Sequence, residues 1–387
     1  MADAYIVESL RTAGGRRKGA LADWHPADMG AEILNALVER TGIDPAAIDD
    51  VIMGCVTKGG EQAFNVGRNA VLASKLPQTV PSTTVDRQCG SSQQAVHFGA
   101  AMVMSGVQDV VIASGVESMT RVPMFADMSS FAKAGIGADP VSPRIAERFG
   151  VTGFSQFTGA EMIAQKNGFS RDDLDAYALE SHKRAAAATE TGAFQREILP
   201  LTTAAGEHTR DEGIRYDASA QSIGSVDTLT EGGVLSAANA SQICDGASGL
   251  MIVSERALKI HGLTPIARIV DMTVTAGDPV VMLEEPIEAT RQALAKSGMT
   301  LDQIDLYEVN EAFAPVPLAW IKELDADPAR TNAQGGAIAL GHPLGASGTR
   351  LMSTLIHGLR ASGKRYGLQT MCEGGGTANV TILEALS

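Results

Sequence analysis

Apolar residues along the chain alternate between short runs and helical periodicities, and that alternation defines the elements. Tyr5-Ile6-Val7-Glu8 reads as a first strand. From Ala27 to Thr41 the residues Met29, Ile33, Leu34, Leu37 and Val38 recur at helical spacing, and Gly42 is placed to close the helix in the left-handed region. Val51-Ile52-Met53 is a short buried strand, Asn65 to Ser74 a second helix, and Ser82-Thr83-Thr84-Val85 a β-rich lead into the turn Asp86-Arg87-Gln88-Cys89-Gly90-Ser91-Ser92. The helix that follows puts Val96, Ala100, Val103 and Val107 on one face, with Gln94 and Gln108 among the polar positions elsewhere. His97 on that helix reads as a packed side chain. Val110 to Ala113 is the next strand, and Gly115-Val116-Glu117-Ser118-Met119 leaves the sheet.

Between about Thr120 and Ala240 this rhythm lapses, so the block reads as an insertion. Arg121 to Arg144 lacks periodicity, as expected of an irregular loop that covers something. Ser170-Arg171-Asp172-Asp173 is a capping-box variant opening a helix to about Thr189, and residues 196–235 read as extended segments and turns. Beyond it the pattern returns with a helix from Glu285 to Gly298 and a strand Leu306-Tyr307-Glu308-Val309. Gly42 and Gly298 lie 256 positions apart, as do Ile48 and Ile304, and Ser105-Gly106 maps onto Ser362-Gly363 at an offset of 257. The shared offset marks an internal duplication. Each half then reads β-α-β-α-β, an α/β fold of mixed sheets buried on both faces, with the loops of the halves meeting at a junction where sites gather.

A chain of 387 residues exceeds the usual single-domain size, which agrees with a duplicated core. The net charge of −14 argues against nucleic acid as a partner. Arg11 to Lys18 carries four positive charges; a small anion could use them, although a solvated basic loop is the commoner role. Cys55, Cys89, Cys244 and Cys372 show no CxxC spacing, which fits free thiols in a reducing compartment and no metal site. No secretory leader, no run of about 18 apolar residues and no peroxisomal tripeptide is seen. A cytoplasmic protein without a membrane anchor is the expectation.

Cys89 stands where a helix begins, beside unpaired N–H groups and the positive end of the helix dipole, so its thiol is expected to be biased toward thiolate. Taken alone, a small buried residue at a tight turn is the commoner fate of such a cysteine. The second half adds further candidates in its loops. Asn310 follows a strand as the counterpart of Gly54. His342 lies among glycines, with Pro343 keeping its backbone out of the helix that follows. Cys372, before Glu373-Gly374-Gly375-Gly376, ends the last buried strand. Cysteine with histidine suffices for thiolate attack on a carbonyl, a second thiol can move another proton, and glycine-borne N–H groups can receive an oxyanion. No GxGxxG or GxxxxGK[ST] is present, so nucleotide readings are weak.

Along essentially its whole length the chain resembles the thiolases, the acyl-CoA acyltransferases. The resemblance rests on Gln88 to Ala95, Gly115 to Met119, Asn310-Glu311-Ala312-Phe313, Gly335 to Gly345 and Cys372 to Gly376, all in family order. It implies a five-layered α-β-α-β-α core made of an N-terminal half, residues 1–119 plus about 240–265, and a C-terminal half, residues 266–387. The inserted loop domain, residues 120–240, would hold coenzyme A. It also implies CoA-dependent cleavage of 3-ketoacyl-CoA, or the reverse condensation, through an acyl-Cys89 intermediate. His342 would be the base, Cys372 the second acid/base, and Asn310 with His342 one oxyanion hole. The backbone N–H groups of Cys89 and Gly374 would form the other. Ser241 would contact pantetheine and Phe313 would line the acyl pocket. Coenzyme A enters as a substrate with no tightly bound cofactor, and a homodimer or homotetramer is expected.

Several positions depart from the family pattern, among them Asp86-Arg87-Gln88 and Asn332-Ala333-Gln334, without removing a catalytic group. No His-Met pair accompanies Ser155-Gln156-Phe157, which leans toward a degradative member. Two alternatives stand beside the reading: a ketosynthase-type condensing enzyme, against which the second cysteine speaks, and a non-catalytic acyl-CoA or lipid carrier.

Overall fold

The computed structural model describes residues 2–137 and 140–386. The N-terminal half runs through β1 (Tyr5–Thr12), α1 (Pro26–Thr41), β2 (Asp50–Gly54), α2 (Val66–Ala73), β3 (Ser82–Val85), α3 (Ser91–Met104) and β4 (Val110–Ser118). Helix α1 begins on Pro26, is capped by the His25 imidazole, and ends where Gly42, at φ +67°, donates its N–H to the Val38 carbonyl. It buries Met29, Ile33, Leu34 and Leu37, as their spacing requires.

The inserted block contains α4 (Gln156–Asn167) and α5 (Arg171–Glu190), the latter opened by the Ser170/Asp173 capping box. The chain re-enters the sheet as β5 (Cys244–Val253). The second half follows with β6 (Ala267–Ala276), α6 (Pro286–Ser297), β7 (Leu306–Val309), α7 (Pro315–Leu324), α8 (Ser347–Ser362), β8 (Tyr366–Glu373) and β9 (Thr377–Ala385).

The first half-sheet has the order β3-β2-β4-β5-β1 and the second β7-β8-β9-β6, joined where β1 and β6 pair antiparallel at Tyr5↔Arg268 and Ile6↔Ala267. In both halves the strand before the site loop pairs in parallel with the strand after the central helix: β2 with β4, and β7 with β8. The duplication reaches individual hydrogen bonds. Asp49 Oδ2 accepts from the N–H groups of Asp109 and Val110, and Asp305 Oδ2, 256 positions on, accepts from those of Arg365 and Tyr366.

Helices α3 and α8 form the central layer. Val96, Ala100 and Val103 meet Met352, Leu355 and Leu359 there, with Ile52, Val111, Ile252 and Leu383 from the strands on either side. Their approach depends on Gly348, where a Cβ would collide with the backbone nitrogen of Gln93, and Thr349 N–H donates to Ser92 Oγ across the contact (3.0 Å). Outside, α1 and α2 cover the first half-sheet, while α6 and α7, with the insertion helices, cover the second. The result is the five-layered α/β core.

Local periodicity misplaced four features. Val107 is 76% exposed, because α3 ends at Met104 and Gly106, at φ +75°, turns the chain away. Gln94 is buried, since its face of α3 is held between the two sheets. The strand β4 continues through Ser118, because β5 pairs with it from Val110↔Val253 to Ser118↔Asp245, a partner distant in sequence. The covering segment is partly helical, at Ala126–Lys133 and Pro143–Phe149.

Candidate active site

The turn that presents Cys89 is held by its own polar side chains. Asp86 Oδ1 accepts from Gln88 N–H (2.8 Å), and Ser91 Oγ accepts from Arg87 N–H (3.0 Å) while donating to the Gln88 carbonyl (2.5 Å). Gln88 adopts φ +48°, a left-handed conformation that a non-glycine residue takes only under such restraint. Cys89 is buried against Met119, Leu344, Leu351 and Met371. Helix α3 starts two residues later, with Gly90 as its cap. Burial, followed by the neighbouring Cys372 and Glu373, pushes the Cys89 thiol well above the ordinary range. The expected bias toward thiolate is therefore corrected: desolvation outweighs the helix dipole, and the resting group is a thiol.

His342 enters from the second half. Its backbone N–H donates to the Gln242 carbonyl (2.9 Å), and Arg350 donates to the carbonyl of the preceding Gly341. The imidazole Nδ1 lies 2.5 Å from Ser347 Oγ, whose own proton goes to the Pro343 carbonyl (2.9 Å). Ser347 Oγ must then accept from Nδ1–H, which leaves a lone pair on Nε2. Burial, aided by the Arg350 charge, lowers the His342 pKa to about 3, so the ring is neutral at physiological pH.

Nε2 faces the amide of Asn310, whose Nδ2 is 3.5 Å from it and 3.7 Å from Cys372 Sγ. Asn310 itself is fixed at the end of β7 by its N–H bond to the Thr370 carbonyl (3.1 Å). Its Oδ1 is buried without a protein partner, leaving an acceptor free for a polar ligand. Cys372 is fully buried near the end of β8, and burial pushes its thiol up to about 12 against the opposing Asn310 hydrogen bond. Gly374 begins the turn between β8 and β9 and lies against Gln88. Thus Asn310, His342 and Cys372 share direct contacts. Cys89 adjoins them through Leu344 and Met371, and Gly374 adjoins the Cys89 turn.

A cavity of ≈ 450 Å³ opens from His342 and Leu344 past Phe313, Ala312 and Ser241 to Arg16, Arg17 and Arg215. Ser241 N–H donates to the Ala312 carbonyl (2.9 Å), and Phe157 packs edge-on against Phe313 with centroids 5.4 Å apart. The basic loop is tied down by Glu212 Oε2, which accepts from the N–H groups of Arg16 and Ala20; Arg16 and Arg17 line the cavity mouth while remaining exposed, Lys18 faces solvent, and Arg11 is buried in ion pairs with Glu197 and Asp211. The chain thus presents a largely apolar cavity with a cationic mouth and the neutral His342 imidazole in its lining. Among the described residues no group of three His, Cys, Asp or Glu is placed to hold a metal.

Supporting residues were missed by sequence reasoning. Ser347 follows His342 by five residues, and a hydroxyl at the start of a helix after an X-Pro bend was its only signal. Glu311 accepts from Tyr177 Oη, Ser181 Oγ, Asn332 Nδ2 and Ile338 N–H, fastening the Asn310 loop to α5. Glu117 accepts from Val56, Thr57 and Gly345 N–H and from Gln62 Nε2, fastening the loop after β2 to the His342 loop. Arg215 gave no local signal.

Residues 4–256 match the family described as Thiolase, N-terminal domain, and residues 263–385 match Thiolase, C-terminal domain. The chain is 52% identical to a steroid 3-ketoacyl-CoA thiolase of Mycobacterium tuberculosis (strain ATCC 25618 / H37Rv), over 100% of this chain and 95% of the relative. It is 39% identical to a 3-ketoacyl-CoA thiolase of Enterobacter sp. (strain 638), over 99% and 100%. Human mitochondrial 3-ketoacyl-CoA thiolase superposes with a TM-score of 0.89 at 33% identity, covering 100% of this chain and 99% of that one. A structure of the human enzyme in complex with CoA superposes equally well at 32% identity. With both halves of the chain matched end to end, it belongs to the thiolase family of acyltransferases.

Proposed function

We propose that the chain cleaves 3-ketoacyl-CoA with coenzyme A by a ping-pong reaction through an acyl-Cys89 intermediate. The observation that carries this is the convergence of His342 Nε2, Asn310 Nδ2 and Cys372 Sγ beside the Cys89 turn, at the end of a cavity with a cationic mouth. The Cys89 proton passes to His342 Nε2 as sulfur attacks the 3-keto carbon, and the backbone N–H groups of Cys89 and Gly374 receive the oxyanion. Collapse breaks the C2–C3 bond. The acetyl-CoA enolate, held by Asn310 and the Nε2 side of His342, takes its proton from Cys372. The thiol of incoming coenzyme A gives its proton to the Cys372 thiolate and attacks the acyl-Cys89 carbonyl, releasing the shortened acyl-CoA and returning the His342 proton to Cys89.

Ser241 contacts the pantetheine arm, Phe313 lines the acyl pocket near its pantetheine end, and Arg16, Arg17 and Arg215 meet the phosphates. A bulky, ring-bearing acyl group is supported by the similarity to a steroid thiolase and by the adaptable Met119, Met124 and Met371 around Cys89. The inserted block, about 120–240, supplies the CoA-facing Phe157 and Arg215. A homodimer or homotetramer is supported by the open edge strand β3 and by Phe64, 88% exposed. No helix among the described residues is long and apolar enough to cross a membrane. Purified protein should consume 3-ketoacyl-CoA thioesters only with coenzyme A, and a labelled acyl group should map to the Cys89 peptide. Acyl-CoA binding without turnover, or label on another residue, would overturn the mechanism.

A further inference from the structure

Glu117 and Glu373 occupy the same register of the two halves, 256 positions apart, yet their surroundings differ. Glu117 is met by three backbone N–H groups and the Gln62 amide. Glu373, fully buried, receives one donor, Thr377 Oγ at 2.7 Å on Oε2. Among the described residues its Oε1 has no hydrogen-bond partner, and it lies against Gly90, where a Cβ would collide with it. Asn379 flanks the same glycine, donating Nδ2 to the Gly90 carbonyl (3.1 Å). Arg87 is the cation of the neighbouring turn, but among the described residues no ion pair joins it to Glu373. A buried carboxylate without donors is costly, whereas a neutral carboxylic acid is tolerated in such a place.

We propose that Glu373 works as a neutral carboxylic acid and is a positioning residue of the site: it buttresses the Cys89–Gly90 turn against the Cys372–Gly374 segment, and its ionisation lowers the reactivity of the Cys89 nucleophile several-fold. The inference rests on the reading of Cys89 as that nucleophile. The groups facing the carboxyl are Arg87 and Cys89 on the turn and Cys372 on its own strand, with neutral Thr377 and Asn379 on β9. Burial pushes the Glu373 pKa up to about 8, where only Arg87 and the Thr377 hydrogen bond oppose it. Once charged, Glu373 raises the pKa of both neighbouring cysteines. A rising pH therefore has two opposed effects on Cys89: it favours thiolate directly and disfavours it through Glu373.

The test is the pH dependence of Cys89 alkylation by iodoacetamide, read by peptide mapping so that Cys55, Cys244 and Cys372 are scored separately. It uses wild-type protein, Glu373→Gln and Thr377→Val, without substrate. The ratio of Gln-variant to wild-type rate should grow about fivefold from pH 6.5 to 9.5, the effect of a charge that raises a neighbouring thiol by a fraction of a pH unit. Thr377→Val removes the hydrogen bond that favours the anion, so the wild-type inflection should move to higher pH and persist. A ratio constant with pH, or an inflection surviving in Glu373→Gln, would overturn the proposal. Because no turnover is required, the outcome is independent of whether 3-ketoacyl-CoA is cleaved; absence of acyl transfer to Cys89 would refute the function instead.

Discussion

Replacing Ser347 with alanine tests whether the His342 tautomer is set as the hydrogen bonds imply. Ser347 is fully buried, and its hydroxyl links His342 Nδ1 to the Pro343 carbonyl. Alanine retains the Cβ and the helical start, so α8 is not expected to unravel. It leaves a buried Nδ1–H without an acceptor, at a cost of about 1–3 kcal/mol. The ring can avoid that cost by moving its proton to Nε2, which removes the lone pair that accepts the Cys89 proton. If the full cost falls on the transition state, kcat/KM drops roughly 5- to 150-fold. The loss should appear in kcat with little change in the KM for coenzyme A, because Ser347 is remote from the cationic mouth of the cavity. Loss of 3-ketoacyl thioester absorbance measures the rate, and thermal unfolding checks that the fold is intact. A folded Ser347→Ala protein with kcat/KM within about twofold of wild type would refute the assignment.

Asn310→Ala removes the donor shared by His342 Nε2 and Cys372 Sγ and should lower kcat about 10²- to 10³-fold, the usual effect of losing an oxyanion donor, in single-turnover assays of acetyl-CoA release. Arg215→Gln should raise the KM for coenzyme A several-fold, on the order of one lost phosphate contact, and flatten its salt dependence with kcat held near wild type. Gly348→Ala should destabilise the fold by about 1–3 kcal/mol in urea unfolding, because the added methyl meets the Gln93 backbone. His97 and His342 are both held neutral by burial, with pKa values lowered to about 3. Between pH 6.5 and about 3 the unfolded chain binds protons that the native one does not, so stability should fall with falling pH by about 1.4 kcal/mol per pH unit for each ring. Denaturant midpoints that stay constant from pH 7 to 5 would contradict that burial.

The reach of sequence reasoning follows the range of the forces involved. Elements governed by local patterning were legible: α1 with its Gly42 cap, the capping box of α5, and the strands around residues 51 and 306. What depends on a distant partner was not. The continuation of β4 to Ser118 needs β5, more than a hundred residues later, and the burial of Gln94 needs a second sheet above α3. The ionisation of Cys89 failed for the same reason, since a helix start can be read locally but the desolvation that outweighs it cannot. Residues that act by holding others, such as Glu117 and Glu311, carry no signature of their own.

The duplication explains why the proposed nucleophile and its proposed base lie so far apart in sequence yet in neighbouring turns of the fold. Helices α3 and α8 start at Ser91 and Ser347, 256 positions apart, and the turns before them are therefore counterparts. One turn carries Cys89 where the other has Gly345; the other carries His342 where the first has Asp86. Asn310 replaces Gly54, and Cys372 replaces Val116, at matching strand ends. The two helix starts meet through Ser92, Gln93, Gly348 and Thr349, so any chemistry in the paired turns converges on one place. Two of these counterparts are glycines, and the convergence requires them: a Cβ on Gly54 would strike Ser92, and one on Gly345 would strike Cys55. The Asp49 and Asp305 clamps keep both scaffolds in register. Cys89 alone is a buried thiol at a tight turn; the second copy of the same turn supplies His342, the base of the proposed mechanism.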